Sequence, residues 1–187
     1  IHSPFGGRVN GTWGLALSGA LRERVGLDVE VQTNDDGILF RLLDSEADFP
    51  LDLVVDMGPG EAREHILREL PDSAVFGTRF RQNAARALLL PMGRKGKRTP
   101  FWLQRLRARD LLQVVRQFDD FPIVAETYRD CIEDVLDLAH LETVLTGIHS
   151  DKIEIVTIDS AVPSPVAQSL LWDFVNVNMY EADVPCA

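Results

Sequence analysis

The chain has 187 residues, 45% of them apolar and 26% charged, with 29 acids against 19 Lys and Arg and a net charge of −10. That is the balance of a globular chain able to bury a core. No run of 18 or more apolar residues is present to cross a membrane, and no basic segment leads into an apolar one as in a secretory signal. Two cysteines, Cys131 and Cys186, are too few for a disulfide framework and fit a reducing, cytoplasmic setting.

The opening, Ile1 to Gly7, lacks an initiator methionine and reads as a strand and turn already inside a domain, and the chain stops at Ala187 close behind a helical pattern. The expectation is a single domain over residues 1–187, excised from a longer protein. Asn10 is predicted to cap a helix running to about Val25, with Trp13, Leu17, Ala20 and Leu21 on one face, and Gly26 stops it. Asp28 to Thr33 alternates apolar and polar residues, Asn34-Asp35-Asp36-Gly37 is turn chemistry, and Ile38 to Leu43 returns. Leu51 to Met57 fits either a strand or the lead-in to a helix. Helices are predicted over Glu61–Leu70, closed by Pro71, and from about Thr78 to Leu90. Thr99 as cap and Pro100 at the first helical position open a long helix to Gln117. Two more follow, about Val124–Leu136 and Leu141–Gly147. Lys152–Ile158 is a predicted strand, and Ser164-Pro165 opens a last helix to about Tyr180. The fold class is α+β, helix-rich with a small, mainly antiparallel sheet made of a hairpin at about 28–43 plus a strand at about 152–158.

Several chemistries lack their motifs. Gly93-Arg94-Lys95-Gly96-Lys97-Arg98-Thr99 has neither the spacing nor the preceding strand of a phosphate loop, and no nucleophile elbow or dinucleotide fingerprint is present. His2, His65, His140 and His149 fall at no metal-ligand spacing and read as surface or helix-end residues. The acids Asp119, Asp120, Glu126, Asp130, Glu133, Asp134, Asp137 and Glu142 read as a solvated face or as internal partners of a basic helix. No catalytic residue, metal or cofactor is assigned to this chain.

The charge is strongly segregated. From Arg79 to Arg116 there are eleven of the nineteen basic residues and one acid, Asp110, a net of +10, which leaves −20 on the remainder. A polyanion feels such a local field within about 10 Å at 0.1 M salt. At 100° per residue, Arg105, Arg109 and Arg116 fall within about 40° of one another and Trp102 lies about 20° from their stripe. The apolar sector holds Phe101, Ala108, Leu111, Leu112, Val115 and Phe118. Guanidiniums meet phosphates, and an indole stacks on a base for about 1–3 kcal/mol. Arg94, Lys95, Lys97 and Arg98 extend the field. The same arginines serve structure alone if the acids of the following helices pair with them. Trp13 has the pattern of a core residue, yet it stands in the first turn of its helix after a Gly-rich loop bearing Arg8, where backbone N–H groups attract phosphate. Trp172, within Leu170-Leu171-Trp172-Asp173-Phe174-Val175, reads as core.

His2-Ser3-Pro4-Phe5-Gly6-Gly7-Arg8-Val9 followed by Thr12-Trp13-Gly14-Leu15-Ala16-Leu17 resembles the segment after the winged-helix domain of Lhr-type (large helicase-related) DNA/RNA helicases. The resemblance continues through Asn34 to Ile38, Phe80 to Pro91, Arg98 to Arg105, Phe121 to Arg129 and Ser164 to Asp183, and so spans the chain. In that family this region is the DEAD/DEAH-associated module. The resemblance implies a parent that hydrolyses ATP with a divalent metal (Mg), moves 3′ to 5′ on single-stranded DNA and unwinds duplexes or RNA–DNA hybrids, with DNA repair as its setting. It implies partners in single-stranded DNA or RNA and in the RecA-like motor and winged-helix domains of the same chain. A family tryptophan that stacks on a base corresponds by motif to Trp13, with Trp102 a competitor. The nucleic-acid-binding candidates are therefore Trp13, Arg8, Trp102, Arg98, Arg105 and Arg109. The basic loop departs from the family's arginine–proline pattern in being glycine-rich, and no motor motif is present, so the 187 residues alone are expected not to hydrolyse ATP.

Overall fold

Gly6, at φ 88°, turns the chain into α1 (Gly7–Val25), whose Val9, Trp13, Ala16, Leu17, Ala20 and Leu21 are buried. Gly26 ends the helix in the left-handed region, φ 71°, with its N–H on the Arg22 carbonyl. The computed structural model describes residues 1–26, 29–42, 49–90, 99–118 and 120–181. Its contacts divide the chain into two units, Ile1–Ile66 with Asp137–Ala187, and Leu67–Leu136.

In the first unit, β1 (Val29–Asn34) and β2 (Gly37–Leu42) pair antiparallel from Val29 opposite Leu42 to Asn34 opposite Gly37. The Asn34 side-chain oxygen accepts from the N–H groups of Asp36 and Gly37, which closes the turn as the sequence predicts. α1 lies on this hairpin, and Gly14 makes the approach possible: a Cβ there would stand 3.0 Å from Thr33 Cγ2 and 3.1 Å from Val31 Cγ1. Asn10 does not cap α1. The helix starts three residues earlier, at Gly7, whose N–H donates to Asp35 Oδ1 at 2.8 Å. Asn10 is buried instead; its Nδ2 donates to the Ser3 and Asn34 carbonyls, and its oxygen accepts from Ser3 Oγ.

Leu51–Met57 resolves as the short helix α2 (Asp52–Asp56), and α3 (Pro59–Glu69) follows, ending in a 3₁₀ turn at Leu70–Asp72. α7 (Leu138–His149) is capped by Asp137, whose carboxylate accepts from the His140 N–H. It buries Leu141, Val144, Leu145 and Ile148 and packs on α1. Buried Thr12 ties the two helices: its hydroxyl donates to the Arg8 carbonyl and accepts from the Asp137 N–H. α8 (Pro165–Glu181) opens as predicted, with Ser164 Oγ accepting from the Ala167 N–H, and it packs on the hairpin through buried Leu170.

The predicted strand at Lys152–Ile158 is not formed. Among the described residues the one ladder is β1–β2, extended by a bridge between His2 and Gly37, and residues 152–158 run beside neither outer edge of that hairpin, so they form no ladder.

The second unit is helical. Ser73 Oγ accepts from the Phe76 N–H and so starts α4 (Ala74–Arg86) four residues before Thr78; Leu88, at φ 59°, lies beyond its end at Arg86. α5 (Phe101–Val115) opens after Pro100, so Thr99 is not its cap. α6 (Pro122–Asp130) runs on into a π turn, Cys131–Val135, in which the Leu136 N–H reaches the Cys131 carbonyl at 2.8 Å. α4 packs against both α5 and α6. Phe76, Phe80, Ala84, Ala108, Leu112, Val115 and Cys131 are buried here, and the Tyr128 ring meets Phe76 edge-on at 4.9 Å. Asn83, also buried, donates to Asp130 Oδ2 and Thr127 Oγ1. No helix among the described residues is long and apolar enough to cross a membrane.

Candidate nucleic-acid interface

Half of the predicted apolar sector of α5 faces inward. Ala108, Leu112 and Val115 are buried, which fixes the orientation of the helix and leaves the Trp102–Arg105–Arg109 stripe outside. Trp102 is 66% exposed. Arg105 and Arg109 are exposed, and neither has a carboxylate partner among the described residues. Phe101 and Phe118, predicted for the apolar face, are also exposed.

Phe101 has a different task. The Arg81 guanidinium lies 4.5 Å and the Arg105 guanidinium 5.4 Å from its ring centroid. A ring face attracts a cation by about 0.5–1 kcal/mol at an exposed site and leaves the N–H edge of the guanidinium for an anion. Sequence reasoning missed Arg81 and misread Phe101. The available signal was the four-residue spacing of Phe101 and Arg105, which places them on one helix face.

Arg116 leaves the stripe. Its guanidinium donates to Asp72 Oδ1 at 2.8 Å and to the Pro71 carbonyl, so it anchors the end of α5 to the 3₁₀ turn. The following acids are engaged elsewhere: Glu126 with Arg129 at 2.9 Å, and Asp130 with Asn83. Arg98 and the basic loop at 94–97 lie outside the described residues, as do Asp119 and Cys186.

The remaining candidates belong to the first unit. Trp13 is 3% exposed, in the core, with its Nε1–H unpaired among the described residues. At the N-terminus of α1 the Gly7 N–H is held by Asp35 Oδ1. Arg8 is exposed and lines a cleft of about 680 Å³ together with Phe5, Val9, Asp137, His140 and Ile153. There His140 Nδ1 stands 2.7 Å from Asp137 Oδ2, and that hydrogen bond holds the Asp137 carboxyl below the usual carboxylate range. Two further readings are corrected. Trp172 is 67% exposed rather than core, because α8 turns Leu170 to the hairpin, and His65 is buried beside Glu61 and Glu23. Among the described residues no three His, Cys, Asp or Glu side chains are grouped to hold a metal ion.

Comparison with known proteins gives a consistent result. The DEAD/H associated family model matches residues 1–167 and so spans both units. The Lhr helicase/probable uracil glycosylase of Mycolicibacterium smegmatis is 45% identical over 188 residues, and the Lhr helicase/uracil glycosylase of Escherichia coli is 41% identical over 188 residues. Each alignment covers 100% of this chain and 12% of the relative, so the chain spans about an eighth of their length. The structure of Mycobacterium smegmatis helicase Lhr bound to ssDNA and AMP-PNP superposes with a TM-score of 0.82 at 44% identity, over 91% of this chain and 22% of that one.

Proposed function

The chain belongs to the DEAD/H associated family, and on that premise we propose that it is an accessory nucleic-acid-binding domain of an ATP-dependent, 3′-to-5′ Lhr-type helicase. In this reading the motor lies elsewhere in the longer protein and supplies ATP and Mg chemistry, while the present chain helps hold the tracking single strand. The observation that carries the reading is the outer face of α5: an indole two-thirds exposed beside Arg105 and Arg109, neither of them neutralised by a carboxylate among the described residues. Structural arginines find acids, as Arg116 does with Asp72. An unpaired pair beside an exposed ring suits phosphates and a base. Relatives named Lhr helicase, and a solved relative with ssDNA bound, support the same class of ligand.

Of the two candidate tryptophans, we assign stacking to Trp102. The test is anisotropy of a labelled single-stranded oligonucleotide titrated with the full-length helicase. Trp102→Ala is expected to weaken binding roughly 5- to 150-fold, the loss of about 1–3 kcal/mol of stacking, and Trp102→Phe to recover much of it. Unchanged affinity in Trp102→Ala would overturn the assignment.

A further inference from the structure

The stretch from Glu154 to Asp159 places four β-branched residues, Ile155, Val156, Thr157 and Ile158, between two acids. Such residues favour the pleated, half-covered surface of a sheet. In the structure the segment leaves α7 through a turn in which the Lys152 and Ile153 N–H groups donate to the Gly147 carbonyl at 2.9 and 3.1 Å. Beyond it, from Glu154 through Asp159, no backbone group makes a hydrogen bond among the described residues. Ile153 and Ile155 are half-buried, whereas Glu154 and residues 156–159 are exposed, Val156 at 69% and Ile158 at 80%. Val156 and Ile158 are two apart, hence on one face of an extended chain. Natural edges are guarded by charge or proline, and in this segment charge stands only at the two ends, Glu154 and Asp159, with none and no proline from Ile155 to Ile158.

From this we infer that residues 154–159 form a strand that is completed from outside: they pair, backbone to backbone, with an open sheet edge of another domain of the same longer polypeptide, and that contact covers Val156 and Ile158. The occupant follows from two observations. Relatives that align with the whole chain are about eight times longer, so other domains are covalently attached and present at high effective concentration without any encounter step. The segment is also acidic, with Asp151, Glu154 and Asp159 against the single cation Lys152, which disfavours a polyanion and suits a protein edge. The inference is independent of strand binding by α5.

Hydrogen–deuterium exchange on the full-length protein, with no nucleic acid added, tests it. Amides in a peptide covering 154–159 are expected to exchange at least tenfold more slowly than the unstructured rate. Thr157→Pro, which disrupts the local strand geometry and removes the Thr157 N–H, is expected to abolish that protection while amides of α7 keep theirs. Exchange at the free-peptide rate would overturn the inference. So would protection that grows with protein concentration, which marks a second copy as the partner, or protection that requires added single-stranded DNA. Protection unchanged in Thr157→Pro would overturn it as well.

Discussion

Of the three tryptophans one is buried and two are exposed, and the reason is which neighbours each helix turns inward. Trp13 shares its stripe with Leu17, Ala20 and Leu21, all buried, and goes in with them. Trp102 shares its sector with arginines and stays out, because Ala108, Leu112 and Val115 claim the opposite side of α5. Trp13→Ala is therefore expected to cost about 3–5 kcal/mol in denaturant unfolding, whereas Trp102→Ala shifts stability by no more than about 0.5 kcal/mol. A small effect at Trp13 would contradict its place in the core. Cys131 offers a chemical check on the second unit. Burial pushes its thiol up to about 11, against a smaller opposing pull from Arg79. Because the thiolate is the nucleophile, iodoacetamide at pH 8 is expected to modify the Cys131 peptide of the native protein far more slowly than that of the denatured chain. Equal rates would contradict that burial.

At the scale of elements, what the residues announced locally is what formed. The Asn34–Gly37 turn, Gly26 after α1 and Ser164 before α8 each carry their own hydrogen-bond chemistry, and all three stand where predicted. The Ser73 cap of α4 and the Thr99 cap that does not form are local departures, whereas other departures arise where the deciding partner is distant in sequence. Asn10 looked like a cap because its side chain suits one, but the carbonyls of Ser3 and Asn34 capture it. Lys152–Ile158 has strand composition but lies beside neither strand of the hairpin, and Phe101, placed by pattern in the apolar sector of its helix, meets Arg81 from twenty residues earlier. The α7 cap yields a pH prediction. Asp137 titrates below its ordinary range because His140 hydrogen-bonds to the ionised form, so its contribution is present above the unfolded carboxylate pKa and is lost as pH falls through the lower folded value. Thermal unfolding of the native protein and Asp137→Asn, which keeps a capping acceptor but cannot ionise, should show a stability gap that is constant near neutrality and closes under acid. A gap unchanged at low pH would contradict the role given to the ionised carboxylate.

For the whole molecule, the segregation of charge mattered more than its sum. A net −10 argues against nucleic acid, yet residues 79–116 carry +10, and α5 within that stretch holds Arg105 and Arg109 without acid partners. The sequence alone left two uses open for those arginines, because pairing with the acids of the next helices is a question of three-dimensional reach. The structure answers it residue by residue, assigning Arg116 to Asp72 and leaving Arg105 and Arg109 outward. The most direct test of strand contact through α5 is the salt dependence of single-strand affinity for the full-length protein, native against Arg105→Gln plus Arg109→Gln. Two lost phosphate contacts should make the slope of log affinity against log salt shallower by about 1.4, at roughly 0.7 per phosphate on a single strand. An identical slope in the two proteins would contradict strand contact by this helix.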